Sequence, residues 1–243
     1  MSTVIKTTNV PTYYMASQDT QVRAMFGLRG FERVFEPDKA DFVIFTGGAD
    51  VSPFLYGEPR HSKTVTSFTR DLQDITTLRK CGHNQVKIGI CRGAQFLNVM
   101  LGNGRLYQHV EGHATAGGHT AKETYDGGRE FLVSSTHHQM MIPGSSGKVL
   151  LAAAKSLSKE TASTTIYRQR NLADKNFYDD PEAVIYQDYD TFCFQPHPEY
   201  TGALNKDCRD YFFETIACYW LSNSQEKALA EAAKTKGAPS HLV

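Results

Sequence analysis

The sequence predicts one α/β domain whose mostly parallel β-sheet is covered by helices on both faces. Short apolar runs typical of buried strands alternate with segments whose apolar residues recur at helical spacing, and this alternation is typical of a parallel sheet. The chain has 243 residues, of which 40% are hydrophobic and 21% are charged. A chain of this length and composition can bury a sizeable core, and it fits one α/β domain better than two. We expect a single domain over residues 1–221 and a flexible tail over residues 222–243.

The individual elements follow from local patterns. Asp41–Thr46 is a β-branched and aromatic run stopped by two glycines, so it predicts a buried strand entering a tight loop. Thr69–Lys80 predicts a helix, Val86–Ile90 a second core strand, and Arg92–Leu101, which is apolar almost all round, a buried helix. Further candidates are the strands Phe131–Ser134, Val149–Ala153, Ala183–Gln187 and Thr191–Gln195 and the closing helix Asp207–Leu221. Ser156–Pro181 is polar and unpatterned, so we expect a long surface loop or lid there.

Charge and cysteine content argue against nucleic-acid binding, membrane binding and a cysteine-based framework. The 26 Lys and Arg residues balance 26 Asp and Glu residues, so the usual electrostatic case for a nucleic-acid or anionic-membrane partner is absent. The five cysteines include no Cys-x-x-Cys pair, which argues against a disulfide framework and a thiolate zinc site. The first residues lack the apolar stretch of a signal peptide and no apolar run approaches transmembrane length, so a cytoplasmic location is expected.

Cys91 is the candidate nucleophile. It lies in Gly89-Ile90-Cys91-Arg92-Gly93, where a predicted core strand turns into a predicted buried helix. A nucleophile on such a sharp turn needs small residues two positions before and after it, because strand and helix approach closely there. The helix N-terminus favours the thiolate, and the N–H of Arg92 would point at a developing oxyanion. Three other cysteines lack these flanks and are interpreted as small buried hydrophobic residues: Cys193, Cys208 and Cys218.

His197 is the candidate base, and Glu199 is the candidate residue that orients it. The prolines of Gln195-Pro196-His197-Pro198-Glu199 exclude a helix and favour an extended backbone. Residues i and i+2 of an extended chain project to the same side, so Glu199 can hydrogen-bond the imidazole. Both His197 and Cys91 follow predicted strands, and open α/β sheets build their sites at that edge. The pattern therefore predicts a nucleophile, a base and an acid acting together.

Together these motifs resemble the class I glutamine amidotransferases, and within them the branch of gamma-glutamyl hydrolases and gamma-glutamyl-gamma-aminobutyrate hydrolases. The matching segments occur in the family order: Gly47-Gly48-Ala49-Asp50-Val51, Leu55-Tyr56-Gly57-Glu58, Arg70-Asp71, Gly89 to Asn98, Leu106-Tyr107-Gln108, Ser135-Thr136-His137-His138-Gln139 and His197-Pro198-Glu199. The resemblance implies a flavodoxin-like three-layer fold and a thioester intermediate. It also implies attack on the side-chain amide of glutamine or of a gamma-glutamyl compound.

The resemblance also assigns residues. It implies triad roles for Cys91, His197 and Glu199, and a second oxyanion N–H from Gly48 beside that of Arg92. Gln95 would hold the α-amino or α-carboxylate group of the substrate, with a buried, backbone-bonded glutamine as the alternative. The segment His137-His138-Gln139 matches a substrate-facing loop, although His138 could equally be a capping or packing residue.

A metal site is not expected from the sequence. His109, His113 and His119 cluster along the chain, but their intervals do not place them on one helical face and no carboxylate motif accompanies them. The chemistry implied by the resemblance needs neither a metal nor another cofactor.

Three functions stay open. The first is a free-standing hydrolase of glutamine or gamma-glutamyl amines, which is favoured because no synthetase domain is visible in the chain. The second is a glutaminase subunit that passes ammonia to a separate synthetase, and the third is a catalytically silent binding module on the same fold. A serine-hydrolase-like arrangement is a weaker rival, because its acid normally precedes its histidine in sequence. A synthetase partner and a homo-oligomer are both compatible with the sequence.

Overall fold

A computed structural model of the chain describes residues 10–155, 159–160, 180–202, 205–221 and 228–229. Its strands are β1 (Thr12–Met15), β2 (Glu32–Arg33), β3 (Phe42–Phe45), β4 (Val86–Ile90), β5 (Arg105–Tyr107), β6 (Val110–Glu111), β7 (Ala114–Glu123), β8 (Glu130–Thr136), β9 (Met140–Ile142), β10 (Lys148–Ala153), β11 (Lys159–Glu160), β12 (Pro181–Tyr186) and β13 (Thr191–Phe194). Its longer helices are α1 (Thr20–Leu28), α2 (Phe68–Lys80), α3 (Arg92–Met100) and α4 (Lys206–Trp220). None of these helices has the length and apolarity that crossing a membrane requires.

One half of the main sheet is parallel. Five strands lie in the order β2-β1-β3-β4-β13, and each neighbouring pair runs in the same direction. Every residue of β3, β4 and β13 is buried, as expected for parallel strands covered on both faces. Because the strands are parallel, the loops that follow β3, β4 and β13 meet at one edge of the sheet. These three loops carry all the residues proposed for the chemistry.

Helices cover both faces of this parallel half. Phe42 and Ile44 of β3 share one core cluster with residues of α1 and α4, such as Phe26 and Phe212. Val43, the residue between them, belongs to a second cluster that includes much of α3. Successive side chains of β3 therefore point to opposite layers, which gives a three-layer arrangement.

The other half of the main sheet is antiparallel. Beyond β13 the order continues β12-β10-β7-β8, and each of these pairings is antiparallel. The ladder between β7 and β8 is irregular between Thr115 and His119. The four strands β12, β10, β7 and β8 are called the antiparallel extension below.

The predicted α/β fold with a parallel core is confirmed, and the structure adds the antiparallel extension. Most predicted elements lie within one or two residues of the observed ones. The loop prediction for Ser156–Pro181 is wrong for Lys159–Glu160, which pairs with β6, and for Pro181, which begins β12. Residues 156–158 and 161–179, and all of the predicted tail except residues 228–229, lie outside the described residues.

Candidate active site

Cys91 occupies a strained turn between β4 and α3. Its backbone angles are φ 51° and ψ −112°, a conformation that residues other than glycine rarely adopt. Its N–H donates a 2.8 Å hydrogen bond to the carbonyl oxygen of Phe194, which holds the turn against the end of β13. The Cys91 side chain is 8% exposed, and α3 begins at the next residue. This is the geometry of a nucleophile elbow.

The two glycines that flank the elbow are required by its packing. A Cβ atom at Gly89 would lie 2.4 Å from the backbone nitrogen of Ala94, and one at Gly93 would lie 1.9 Å from the carbonyl oxygen of Phe45. Both contacts are with backbone atoms, which cannot move aside as the end of a flexible side chain could. The prediction that small residues are needed on both sides of Cys91 is therefore confirmed.

The structure brings His197 and Glu199 together beside Cys91. Nδ1 of His197 lies 2.5 Å from Oε1 of Glu199, and Glu199 is only 4% exposed. The ring of Tyr200 stacks on the imidazole with centroids 4.5 Å apart and planes 5° from parallel. A Cβ atom at Gly47 would lie 2.9 Å from Cε1 of His197, so the loop after β3 also touches the imidazole. The imidazole is thus confined by neighbours from more than one loop.

The protonation of His197 is controlled by its two neighbours. Burial lowers its pKa, but the Cys91 side chain, as hydrogen-bond partner and opposite charge, and the Glu199 carboxylate together raise that pKa to about 11. His197 is therefore an imidazolium at neutral pH, held between two groups that carry or can carry negative charge. An imidazolium next to a thiol stabilises the thiolate, which is the reactive form of cysteine.

Backbone contacts hold the segment that carries His197. Oγ of Ser134, on β8, accepts a 2.6 Å hydrogen bond from the N–H of His197. Nδ2 of Asn205 donates to the carbonyl oxygens of His197, Pro198 and Tyr200 at 2.9, 3.2 and 3.1 Å. Sequence reasoning missed these supports, because Ser134 lies far from His197 along the chain and Asn205 belongs to no motif of the sequence.

The loop that carries Gly48, the candidate oxyanion donor, is fixed by Arg70 of α2. Nη1 of Arg70 donates to the carbonyl oxygen of Gly47 at 2.9 Å, and Nη2 donates to that of Thr46 at 2.7 Å. Gly48 has φ 148°, and a Cβ atom there would lie 2.8 Å from Nη1 of Arg70. Glycine is therefore required at position 48 by its backbone angle and by the guanidinium that clamps the loop.

A buried ion network connects the same loop to both neighbouring helices. The guanidinium of Arg92 bonds Asp71 and Asp74 of α2, and its Nε donates to the carbonyl oxygen of Ala49 at 3.2 Å. Arg70 shares Asp74, at 3.1 Å. Burial raises the pKa of Asp74 and lowers that of Arg92, so each charge depends on the other. The Arg70-Asp71 motif is visible in the sequence, but this role for it is not.

Gln95 lies inside the protein, one turn into α3. Its Nε2 donates to the carbonyl oxygen of Gln139 and to Oε1 of Gln195, each at 3.2 Å. The side-chain nitrogen is therefore engaged by the protein, as expected for the alternative of a buried, bonded glutamine. A substrate-holding role for Gln95 stays a prediction.

The three predicted residues of the substrate-facing loop have different surroundings. His137 is buried, its Nδ1 lies 2.9 Å from the carbonyl oxygen of Gln139, and burial lowers its pKa to about 4. Gln139 is also buried, and it donates to the carbonyl oxygen of Gln108. His138 is partly exposed, and its Nε2 lies 3.0 Å from Oδ1 of Asp50, which raises the pKa of His138. Of the three, only His138 has a partly exposed side chain, and substrate contact by any of them stays a prediction.

No carboxylate motif accompanies His113 and His119 in the sequence, but the fold brings a carboxylate to both of them. Both imidazoles are buried around Glu182, with Nε2 of His119 2.9 Å and Nδ1 of His113 3.5 Å from Oε1 of Glu182. His109, the third histidine of that sequence cluster, instead lies near His61 and His138. The sequence carried no signal for Glu182, which comes from β12, far along the chain.

Comparisons with known proteins fit this fold. Residues 37–172 match the sequence profile of the Peptidase C26 family. The glutamine amidotransferase-like protein YvdE of Lactococcus lactis subsp. lactis is 46% identical over 72 residues, which is 29% of this chain and 30% of that protein. Its homologue from Lactococcus lactis subsp. cremoris is 33% identical over 120 residues, 42% of this chain and 63% of the relative. The matched regions thus span less than two thirds of either relative.

A solved structure extends the likeness to the whole fold. The crystal structure of a GMP synthase subunit from Thermoplasma acidophilum superimposes with a TM-score of 0.56 over 95% of this chain and 99% of that one, at 14% identity. Agreement at so low an identity concerns the fold alone. Because the family profile covers more than half of the 243 residues, this chain belongs to the Peptidase C26 family, which is class I glutamine amidotransferase-like.

Proposed function

We propose that this protein is a cysteine-dependent amidohydrolase that cleaves the gamma-glutamyl amide bond of glutamine or of a gamma-glutamyl amine. Cys91 is the nucleophile, His197 transfers the protons and Glu199 orients the imidazole. One arrangement carries the proposal: a cysteine on a strained strand-to-helix turn contacts an imidazole whose Nδ1 lies 2.5 Å from a buried carboxylate. Membership of the Peptidase C26 family supports amidohydrolase chemistry in general.

The acylation step uses the imidazolium as an acid. The Cys91 thiolate attacks the amide carbonyl carbon, and the carbonyl electron pair moves to oxygen. Nδ1 of His197 faces Glu199, so Nε2 faces the thiol and carries the proton for the leaving nitrogen. The carbon–nitrogen bond breaks, the amine leaves with that proton, and a gamma-glutamyl thioester remains on Cys91. The N–H groups of Gly48 and Arg92 are the candidate donors to the oxyanion.

Deacylation reverses the proton transfer. A water molecule attacks the thioester carbon while the now neutral His197 removes its proton. The carbon–sulfur bond breaks, the glutamyl carboxylate leaves, and the thiolate–imidazolium pair is restored. Neither step requires a metal or a redox partner.

The direct test is a product assay on the isolated protein. Release of ammonia from glutamine, and of amine from a panel of gamma-glutamyl amines, is measured without ATP or any added protein. Cys91→Ala is the matched inactive control. In a second measurement, the protein is treated with a diazoketone analogue of glutamine, and peptide mass mapping identifies the cysteine that reacts. We expect turnover of at least one gamma-glutamyl substrate and labelling of Cys91. Labelling of another cysteine while Cys91→Ala stays active would end the proposal.

A glutaminase subunit is the second candidate, because the solved structure that shares this fold is described as a subunit of a synthase. The same triad chemistry would then release ammonia for a separate synthetase. In that case, activity on every substrate of the panel would stay at background until a second protein is added. A silent binding module is disfavoured, since an inactive chain would have no use for a strained cysteine beside an imidazolium.

A further inference from the structure

A cluster of histidines and carboxylates lies inside the antiparallel extension, apart from the triad. It is formed by His113, His119, His137, Asp180 and Glu182, each of which is buried. The ligand-type atoms of His113, His119 and Glu182 lie within 4.8 Å of one another. These donors come from four places: the segment before β7, β7 itself, the segment after β8, and β12 together with the residue before it.

Several polar atoms of this cluster lack a well-aligned hydrogen bond within the described part of the chain. They are both ring nitrogens of His113 and of His119, Nε2 of His137 and both carboxylate oxygens of Glu182. Buried polar groups are almost always bonded, so a concentration of such atoms at one point needs an explanation. The histidine nitrogens lie close to the Glu182 oxygens, yet these contacts do not have the geometry of hydrogen bonds.

The orientation of two rings favours a cation between them. Nδ1 of His137 lies 2.9 Å from the carbonyl oxygen of Gln139, which can only accept, so this nitrogen carries the proton. The lone pair of a neutral His137 ring is then on Nε2, 3.9 Å from Oε2 of Glu182. Nε2 of His113 lies 3.2 Å from Oδ2 of Asp180, and Nδ1 of the same ring lies 3.5 Å from Oε1 of Glu182. A carboxylate behind an imidazole in this way is the usual outer support of a metal-bound histidine.

Spacing and charge fit one divalent cation. Zinc bonds of about 2.0–2.1 Å in a tetrahedral arrangement place neighbouring donor atoms about 3.3 Å apart. Oε1 of Glu182 lies 2.9 Å from Nε2 of His119 and 3.5 Å from Nδ1 of His113, and Oε2 of Glu182 lies 3.9 Å from Nε2 of His137. Among the described residues, no Lys or Arg forms an ion pair with Glu182, so its buried charge depends on the three imidazoles or on a cation.

We propose that His113, His119, His137 and Glu182 bind one Zn²⁺ ion, with Asp180 orienting His113. Imidazole and carboxylate donors suit zinc, and a closed, fully buried set of four ligands is typical of a structural rather than a catalytic zinc site. The ion ties the strands of the antiparallel extension together. It also supports the active site, because the carbonyl oxygen of Glu182 accepts a 2.8 Å hydrogen bond from the N–H of Gln195, two residues before His197.

Zinc binding to untagged, chelator-treated protein tests this inference. Zinc content after equilibration is measured by elemental mass spectrometry, and the unfolding temperature is measured with and without added Zn²⁺. The comparison uses wild type, His119→Gln, Glu182→Gln, and His83→Gln as a matched control that removes an exposed imidazole. All variants are repeated with Cys91→Ala, so that zinc held by the active-site thiol is not counted.

We expect one Zn²⁺ per chain and a higher unfolding temperature on loading for wild type and His83→Gln. His119→Gln and Glu182→Gln should bind at least about a hundredfold more weakly, since even outer-shell changes cost 10- to 100-fold. If either variant fails to fold, Co²⁺ added to wild type gives an independent readout through the visible absorption of tetrahedral cobalt. Wild type that binds no more zinc than His119→Gln, or that gives no tetrahedral cobalt spectrum, would show a metal-free polar cluster and overturn the proposal.

Discussion

The parallel half of the sheet and the antiparallel extension hold polar side chains in opposite ways. In the parallel half, the strands β3, β4 and β13 are wholly buried, and the proposed reactive groups lie in the loops just beyond them. In the antiparallel extension, the polar groups lie within and beside the strands, where His119 and Glu182 are buried. The strands of one half therefore present polar groups at an edge, and the strands of the other enclose them.

Because of this difference, polar groups at the parallel edge can react with a substrate, whereas enclosed polar groups can only stabilise the fold. A side chain at the end of a parallel strand can meet a substrate while its backbone stays anchored in the sheet. A charged group enclosed between strands reaches no substrate, and it is stabilised only by partners of opposite charge. We therefore expect substitutions at the parallel edge to change turnover first, and substitutions at enclosed charges to change stability first.

The largest expected effect is on turnover at the parallel edge. Cys91→Ala and His197→Ala should each lower kcat by about ten-thousand-fold or more, because no other group can form the thioester or move its protons. Cys218→Ala, which removes an exposed cysteine, is the matched control and should keep full activity. Steady-state kinetics decide this, and an active Cys91→Ala enzyme with Cys81 or Cys208 labelled would contradict it.

Glu199→Gln should have a smaller effect and a distinct pH signature. We expect a loss of roughly ten- to a thousand-fold in kcat, since a thiol loses its proton more readily than a serine hydroxyl and depends less on the acid. Glu199 helps to raise the pKa of His197 to about 11. The imidazolium, which protonates the leaving nitrogen, exists only below that pKa. The alkaline limb of the rate profile should therefore move to lower pH.

The double mutant completes this test. Glu199→Gln and His197→Ala should be non-additive, because both act through one imidazole. Full additivity in kcat/KM, or a wild-type rate for Glu199→Gln while Asp188 or Asp190 proves essential, would mean that the partner of the histidine is misassigned.

Arg92→Met should test whether an enclosed charge network changes stability first. Removing the guanidinium leaves Asp71 and Asp74 buried without their shared partner, and the expected loss of unfolding free energy is about 3–5 kcal/mol. Arg79→Met, on the exposed side of α2, should stay within about 0.5 kcal/mol of wild type. Urea unfolding measures both, and equal midpoints for the two variants would mean that the network contributes little.

The smallest expected effect concerns His138 and Asp50. Asp50 raises the pKa of His138 in the folded protein. The pair therefore stabilises the folded state fully at pH values below the pKa of His138 in the unfolded chain. This stabilisation is lost as the pH rises through the higher pKa of His138 in the folded protein. Because His138 is partly exposed, Asp50→Asn should cost only about 0.2–1 kcal/mol at low pH. The loss should be larger near about pH 6 than near about pH 9. An NMR titration of His138 should show its pKa falling in the variant, and an unchanged pKa would contradict the pairing.

The parallel half could be predicted from sequence because its signals are local. β3 and β4 are short, largely apolar runs, and the glycines around Cys91 and the prolines around His197 mark their turns within a few residues. The antiparallel extension lacks such signals. β7 contains Gly117 and Gly118 and few large apolar residues, and pairing with β8 and β10 holds it extended.

The side-chain supports were hidden for a related reason. Ser134 and Asn205 touch the His197 segment only after three separate elements have packed together. Helical spacing gives no reason to group His113 and His119, but these residues lie on and beside a strand. A helical spacing rule says nothing about residues on strands. Glu182 is far from these histidines in the sequence, and only the order of the strands in the sheet brings it close to them.

The positive φ angle of Cys91 affects how the thermal stability of this protein can be raised. A residue other than glycine held at φ 51° costs on the order of 1–3 kcal/mol, which the surrounding contacts must offset. Glycine would adopt the same angles without that cost, so Cys91→Gly should be more thermostable than wild type and inactive. A laboratory selection that rewards heat resistance alone would therefore discard the nucleophile, and only a selection that also demands turnover would keep it.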